Sequence, residues 1–160
     1  MKKLTHLDSE GNAQMVEVGE KPISSRRARS EGFIFMNAET LAAIRTDRLP
    51  KGDVLTIAQL AGIQAAKRAS EMIPLCHPIP LSGVEVMLNV EPKGVRVSAT
   101  VTAQWRTGVE MESLTAVSAA LLTLYDMVKS IDRSMEIGQI RLLEKRGGRS
   151  GVWIRAIDED

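Results

Sequence analysis

Val84-Glu85-Val86-Met87-Leu88-Asn89-Val90-Glu91-Pro92-Lys93-Gly94-Val95-Arg96-Val97-Ser98-Ala99-Thr100-Val101-Thr102-Ala103 reads as two strands folded on each other. Val84, Val86, Leu88 and Val90 alternate with polar residues, and Val95, Val97, Ala99, Val101 and Ala103 repeat the pattern on the way back. Strict alternation places one face of each strand on a core and the other toward solvent or a partner. Pro92-Lys93-Gly94 supplies the turn. The hairpin therefore anchors an antiparallel sheet.

Helical spacing flanks it on both sides. Downstream, Thr107-Gly108 leads into a predicted helix over Glu112–Ile131, with Leu114, Val117, Leu121, Leu124, Val128 and Ile131 on one face. Upstream, Asn37 is expected to cap a helix over Ala38–Arg45 that stops before Pro50. Asp53 is expected to cap a second, with Val54, Ile57, Ala58, Leu60, Ala61 and Ala65 at helical spacing, ending before Pro74. Further strands are predicted at Ile137–Leu143 and Gly151–Ile157. The first 30 residues read as irregular and polar, with a short strand near Met15–Val18. This order predicts an α+β fold: a mainly antiparallel sheet with helices packed on one face, formed by residues 1–160 as one domain.

Composition bounds the function. The chain has 160 residues, 44% hydrophobic and only 3% aromatic, so its core is mostly aliphatic. The net charge of +1 gives no global attraction to nucleic acid or membrane, and one Tyr and two Phe offer little for base stacking. Charge is nevertheless segregated. Residues 129–155 hold seven Lys/Arg against three Asp/Glu, and residues 21–29 add Lys21, Arg26, Arg27 and Arg29 without an acid. Two such segments suit a small polyanion. Cys76 is the sole cysteine, which excludes an intrachain disulfide and a cysteine metal cluster. No apolar run is long enough for a membrane span, and the opening residues do not continue as a signal peptide. A cytoplasmic protein without a placed metal site is expected.

Several residues are candidates for chemistry. His77 sits in the stiff segment Ile73-Pro74-Leu75-Cys76-His77-Pro78-Ile79-Pro80, which would present a side chain well, though it also suits a histidine bonded to backbone. Cys76 reads as a packed small hydrophobe. Glu110 and Glu112 suit a helix start for dipole reasons alone, and backbone N–H groups there can also hold a ligand. Asp126 and Lys129 make an ordinary helical ion pair, or a proton-exchanging pair in the apolar setting of Tyr125, Met127 and Val128. Lys145-Arg146-Gly147-Gly148-Arg149-Ser150-Gly151 is either a basic hairpin turn or a phosphate cradle; P-loop spacing is absent. Glu112 and Asp126 are fourteen residues apart. On one helix that is ~21 Å, too far for one small ligand. If both are used, subunits must share the site, and a homo-oligomer follows.

Taken in order, several segments resemble the cyclic pyranopterin monophosphate synthase family, also called molybdenum cofactor biosynthesis protein C. These are Lys51-Gly52-Asp53, Ala61 to Arg68, Ile73 to Pro78, Thr107 to Glu112, Tyr125-Asp126-Met127 with Lys129, and Arg141-Leu142-Leu143 with Lys145, Gly147-Gly148 and Ser150-Gly151. The likeness runs nearly the whole length. It implies a ferredoxin-like fold and a homohexamer built as a trimer of dimers, with sites at the dimer interface. It also implies a lyase that turns 3′,8-cyclo-7,8-dihydroguanosine 5′-triphosphate, the cyclised GTP, into cyclic pyranopterin monophosphate and pyrophosphate. By motif, Asp126 matches the family's proposed catalytic aspartate, and Lys51 and Lys129 match lysines implicated in catalysis. Leu75, Cys76, His77, Met111 and Glu112, with Glu110, match substrate-binding segments. Lys145 and Arg26 are expected to hold phosphates. No cofactor is implied; magnesium could accompany the phosphates, without placed ligands. Arg146, Arg149 and Val128 depart mildly from the pattern. A nucleotide-binding module without chemistry and a purely structural oligomer stand as alternatives.

Overall fold

A computed structural model describes residues 6–46 and 52–156. The hairpin is present as β2 (Leu81–Glu91) and β3 (Gly94–Trp105), with Glu91 opposite Gly94 across the Pro92-Lys93 turn. Val86, Val95, Val97, Ala99 and Val101 are fully buried, as the alternation requires. Gly94 is fixed by space. A Cβ there would overlap the Ile34 carbonyl oxygen and lie 2.6 Å from the Phe33 ring. Gly94→Ala is therefore expected to cost about 3 kcal/mol. The measurement is a lowered urea midpoint with an unchanged m-value.

The centre of the sheet was not legible. β1 (Ser24–Phe35) is a twelve-residue strand between β3 and β4, where the sequence reading had irregular chain. Its inward residues are Ala28, Ser30, Gly32 and Ile34 and its outward ones include Arg27, Arg29 and Glu31, so no apolar alternation is visible. Small residues are needed because a helix crosses them. A Cβ on Gly32 would meet Leu121 at 2.7 Å and Val117 at 2.8 Å. Conversely, Met15–Val18 forms no strand. The nearest pairing is a single bridge between Leu7 and Ala13, around a turn in which Asp8 accepts backbone N–H bonds from Glu10 and Asn12.

α1 (Ala38–Arg45) is capped by Asn37, whose side chain accepts from the Thr40 N–H at 2.8 Å. Asp53 caps α2 (Val54–Ala66) by accepting from the Thr56 N–H at 3.0 Å. The expected single helix then breaks. The Arg68 N–H bonds to the Ala65 carbonyl, a tighter turn, and α3 (Ala69–Met72) follows before Pro74. α4 (Glu110–Val128) starts two residues earlier and ends three earlier than predicted. β4 (Glu136–Arg146) is longer than predicted, while β5 (Trp153–Ile154) is only two residues.

The sheet runs β2-β3-β1-β4-β5, antiparallel throughout. α2 and α4 pack on each other and cover one face. α4 contributes Val117, Ala120, Leu121, Leu124 and Val128, all fully buried. The βαββαβ succession with β1 and β3 central is the ferredoxin-like α+β arrangement, with β5 added at an edge. Among the described residues no helix is long and apolar enough to cross a membrane.

Candidate active site

Two cavities meet at the start of α4. Thr107-Gly108-Val109 connects β3 to this helix, and Val109 caps it without a side-chain bond. The first N–H groups of α4 therefore have no side-chain acceptor from the cap. The helix start is keyed to the sheet by Ser113. Its buried hydroxyl lies 2.8 Å from the Ser30 hydroxyl and 3.1 Å from the Ala99 carbonyl. That rotation leaves Met111 exposed and buries Glu112, which is 4% exposed.

The first cavity, about 440 Å³, brings Leu75, Cys76 and His77 together with Glu110, Met111 and Glu112. The proline-rich loop and the helix start thus form one place. Its remaining wall includes His6, Val16 and Val18, from the segment expected as a short strand near Met15–Val18 and the irregular chain before it. His77 Nε2 lies 2.7 Å from the Val16 carbonyl oxygen. A ring nitrogen facing a carbonyl must carry hydrogen, so Nε2 donates. Burial pushes the Glu112 carboxyl up to about 7, and the charge of Glu110 adds to the rise. The Cys76 thiol is raised by burial and by the field of Glu112. It is therefore a packed thiol and not an activated nucleophile.

The second cavity, about 520 Å³, shares Lys21, Thr107, Gly108 and Glu110 with the first. Six Lys/Arg line it (Lys21, Arg26, Arg106, Lys145, Arg146 and Arg149) against one acid, Glu110, which makes it a polyanion site by charge. Lys145 is hydrogen-bonded to Ser150, and Arg146 is paired with Glu144. Gly147 and Gly148 have φ of +97° and +74°, which favours glycine. Close approach adds a second reason. A Cβ on Gly147 would overlap the Ser25 carbonyl, and one on Gly148 would overlap the Arg26 guanidinium. Arg26 itself donates from Nε to the Trp105 carbonyl at 3.1 Å and from Nη2 to the Arg106 carbonyl at 3.0 Å.

Asp126 and Lys129 lie in neither cavity. They form an ion pair of 2.7 Å at the far end of α4. Their side chains are 61% and 51% exposed in the single chain, which fits the ordinary helical ion pair of the two readings the sequence allows. Tyr125 and Met127 do pack on the core, but the helix turns Asp126 away from it. Lys51 lies outside the described residues. The end of α4 is tied down by the buried Asp132, a residue the sequence reading passed over. Its carboxylate accepts from the Asn37 N–H at 3.0 Å and from the Ser134 N–H at 2.9 Å. The Ser134 hydroxyl and then the Asn37 N–H hold the carboxyl of Asp132 below its ordinary range. Among the described residues no group of three His, Cys, Asp or Glu is arranged to hold a metal ion.

The chain is similar to curated proteins over nearly its whole length. A Chloroflexus aurantiacus protein named cyclic pyranopterin monophosphate synthase is 54% identical over 155 residues, covering 96% of this chain and 95% of its own. The Thermomicrobium roseum protein of that name is 53% identical over 161 residues, covering 99% and 97%. The Mycobacterium tuberculosis protein named cyclic pyranopterin monophosphate synthase 1 is 52% identical over 157 residues, covering 98% and 92%. The model of the MoaC family matches residues 15–148, from the approach to the first cavity through the glycine turn of the second, and the chain belongs to that family.

Proposed function

We propose that this protein converts 3′,8-cyclo-7,8-dihydroguanosine 5′-triphosphate into cyclic pyranopterin monophosphate and pyrophosphate, a lyase step of molybdenum cofactor biosynthesis. The carrying observation is the joined pair of cavities. One presents an imidazole and a buried carboxyl, which suit the donors and acceptors of a heterocycle; the other is strongly cationic. They meet at Gly108 and Glu110, as the base and triphosphate of one nucleotide require. Relatives bearing the synthase name support the same reading.

His77, Glu112, Met111, Leu75 and Cys76 hold the heterocycle in this scheme. Lys145 and the other cations hold phosphates. Closing the cyclic phosphate needs a substrate hydroxyl to lose its proton and attack the α-phosphorus while the bond to pyrophosphate breaks. Cations around the departing phosphates stabilise that charge. Rebuilding the ring needs further proton transfers, assigned to Asp126, Lys129 and Lys51. Asp126 and Lys129 reach the substrate from a second copy of the chain, because Asp126 is ~21 Å along α4 from Glu112. The assembly that provides this is a homohexamer of three dimers, working in the cytoplasm. Magnesium, where it takes part, arrives on the phosphates.

The test is incubation of the purified protein with the cyclised nucleotide, assaying pyrophosphate and the pterin product together. Both should form, and both should be lost in an assembled Lys51→Ala variant. Nucleotide that binds and is recovered unchanged would defeat the proposal.

A further inference from the structure

We infer that Arg106 is the arginine that grips phosphate in the cationic cavity, and that Arg26 is a positioning residue that aims it. This rests on the triphosphate reading of that cavity.

Arg26 is largely engaged by the protein. Two of its N–H groups bond successive carbonyls, Trp105 and Arg106, where β3 ends. Its Nη1 lies so close to Gly148 that a Cβ there would overlap it. The side chain therefore bridges the turn before α4 and the glycine turn after β4, from β1 between them. It adds charge to the cavity, but most of its planar fork faces backbone.

Arg106 is in the opposite condition. It lines the same cavity, and its Nε is shut off from solvent with no hydrogen-bond partner among the described residues. Ser24, the register partner of Trp105, also lines this cavity and has a buried hydroxyl without a partner. Three buried side-chain polar atoms lack partners among the described residues, and two of them belong to residues lining this one cavity. The third, on Thr40, belongs to α1 and does not line it. Buried donors without acceptors are uncommon in folded proteins and call for an explanation. A phosphate drawn into a cavity with six cations offers acceptors to the Arg106 fork, and Nε reaches them as the side chain turns out from the protein that covers it. Arg106 directly precedes Thr107 and Gly108, where the two cavities meet, so its backbone stands beside the junction of heterocycle and phosphates.

The roles differ in what lysine can replace. Phosphate accepts an ammonium as a point charge, whereas one ammonium cannot reproduce a fork across two successive carbonyls. Titration of the assembled protein with inorganic tripolyphosphate is the direct test. Arg106→Ala and Arg106→Gln should weaken binding by roughly 10- to 100-fold, and Arg106→Lys, which restores the charge but not the Nε donor, should lose less than either. Arg26→Lys should lose about as much as Arg26→Ala, despite keeping its charge. Circular dichroism and sedimentation identify any variant that fails to fold or assemble; Arg106→Lys and Arg26→Lys are the mildest pair and carry the comparison in that event. Wild-type affinity in Arg106→Ala, or in Arg26→Lys, would overturn the assignment. Wild-type protein that binds tripolyphosphate through Arg106 but leaves the cyclised nucleotide unchanged would defeat the proposed reaction instead.

Discussion

Asp126→Asn is expected to lower kcat by roughly 10²–10⁴-fold with almost no change in stability. The ion pair it removes is more than half exposed in the chain, and such pairs contribute ~0–1 kcal/mol. Activity and stability therefore separate cleanly. The same geometry makes a stronger statement. Asp126 and Glu112 stand at opposite ends of α4 and cannot serve one ligand from one chain. Asp126→Asn and Glu112→Gln should each be nearly inactive alone. Reassembled from equal amounts, they should recover about one quarter of wild-type sites, because each site draws its two halves from different subunits at random. Activity that stays at the level of the single variants after verified mixing would place the whole site in one chain and defeat the shared-site reading. Recovery would also explain why the pair looks unremarkable in isolation: its working environment is made by the second copy.

Legibility followed the residues' own chemistry. The β2–β3 hairpin showed because both strands bury Val and Ala on one face and set polar residues on the other. Asn37 and Asp53 showed because a capping side chain acts locally, on an N–H three residues away. β1 was hidden because its partners decide its composition. α4 crosses it closely, so Ala28, Ser30 and Gly32 on its inward face are small and only Ile34 keeps an apolar signature there. Tertiary context overrode local pattern there.

The site divides in the same way. His77 stood out in its stiff proline-rich segment, Glu112 also had an ordinary helix-start explanation, and the fold brings both to one cavity. Val16 and Val18 alternate with polar residues and so suggested a strand, whereas the fold uses them as one wall of the cavity. For Arg26 the family resemblance implies a phosphate role; its hydrogen bonds to two carbonyls became visible only with the turn folded over it. Gly147 and Gly148 were read as giving phosphate access to backbone, yet neighbouring chain also demands them. Arg106, just past the end of β3, is distinguished only by its unpartnered buried nitrogen, which the sequence does not display.

Glu112→Gln should abolish a pH dependence that the wild type shows in both activity and stability. The carboxyl is 4% exposed and is raised from 4.5 to about 7, first by burial. Its charged form is therefore disfavoured in the folded protein. Its contribution is fully present below pH ~4.5, where folded and unfolded chains both hold the proton. As pH rises toward 7 the unfolded chain releases that proton and the folded one keeps it, so stability falls, by a total of order 3 kcal/mol. Above the folded value no further loss occurs. Urea unfolding at fixed protein concentration should show this slope in wild type and not in Glu112→Gln. Equal slopes would mean that the carboxyl is not perturbed. For activity, the heterocycle's N–H groups call for a carboxylate acceptor, so binding favours the ionised form and releases a proton. The wild-type kcat/KM should rise through pH ~7 to a plateau, since that profile reports the free enzyme. Glu112→Gln should lack this limb and remain ~100-fold lower across the range, because an amide leaves the substrate's donors poorly paired. A wild-type profile that instead falls above pH ~7 would assign the neutral acid as the working form, with Glu112 donating a proton and not accepting one.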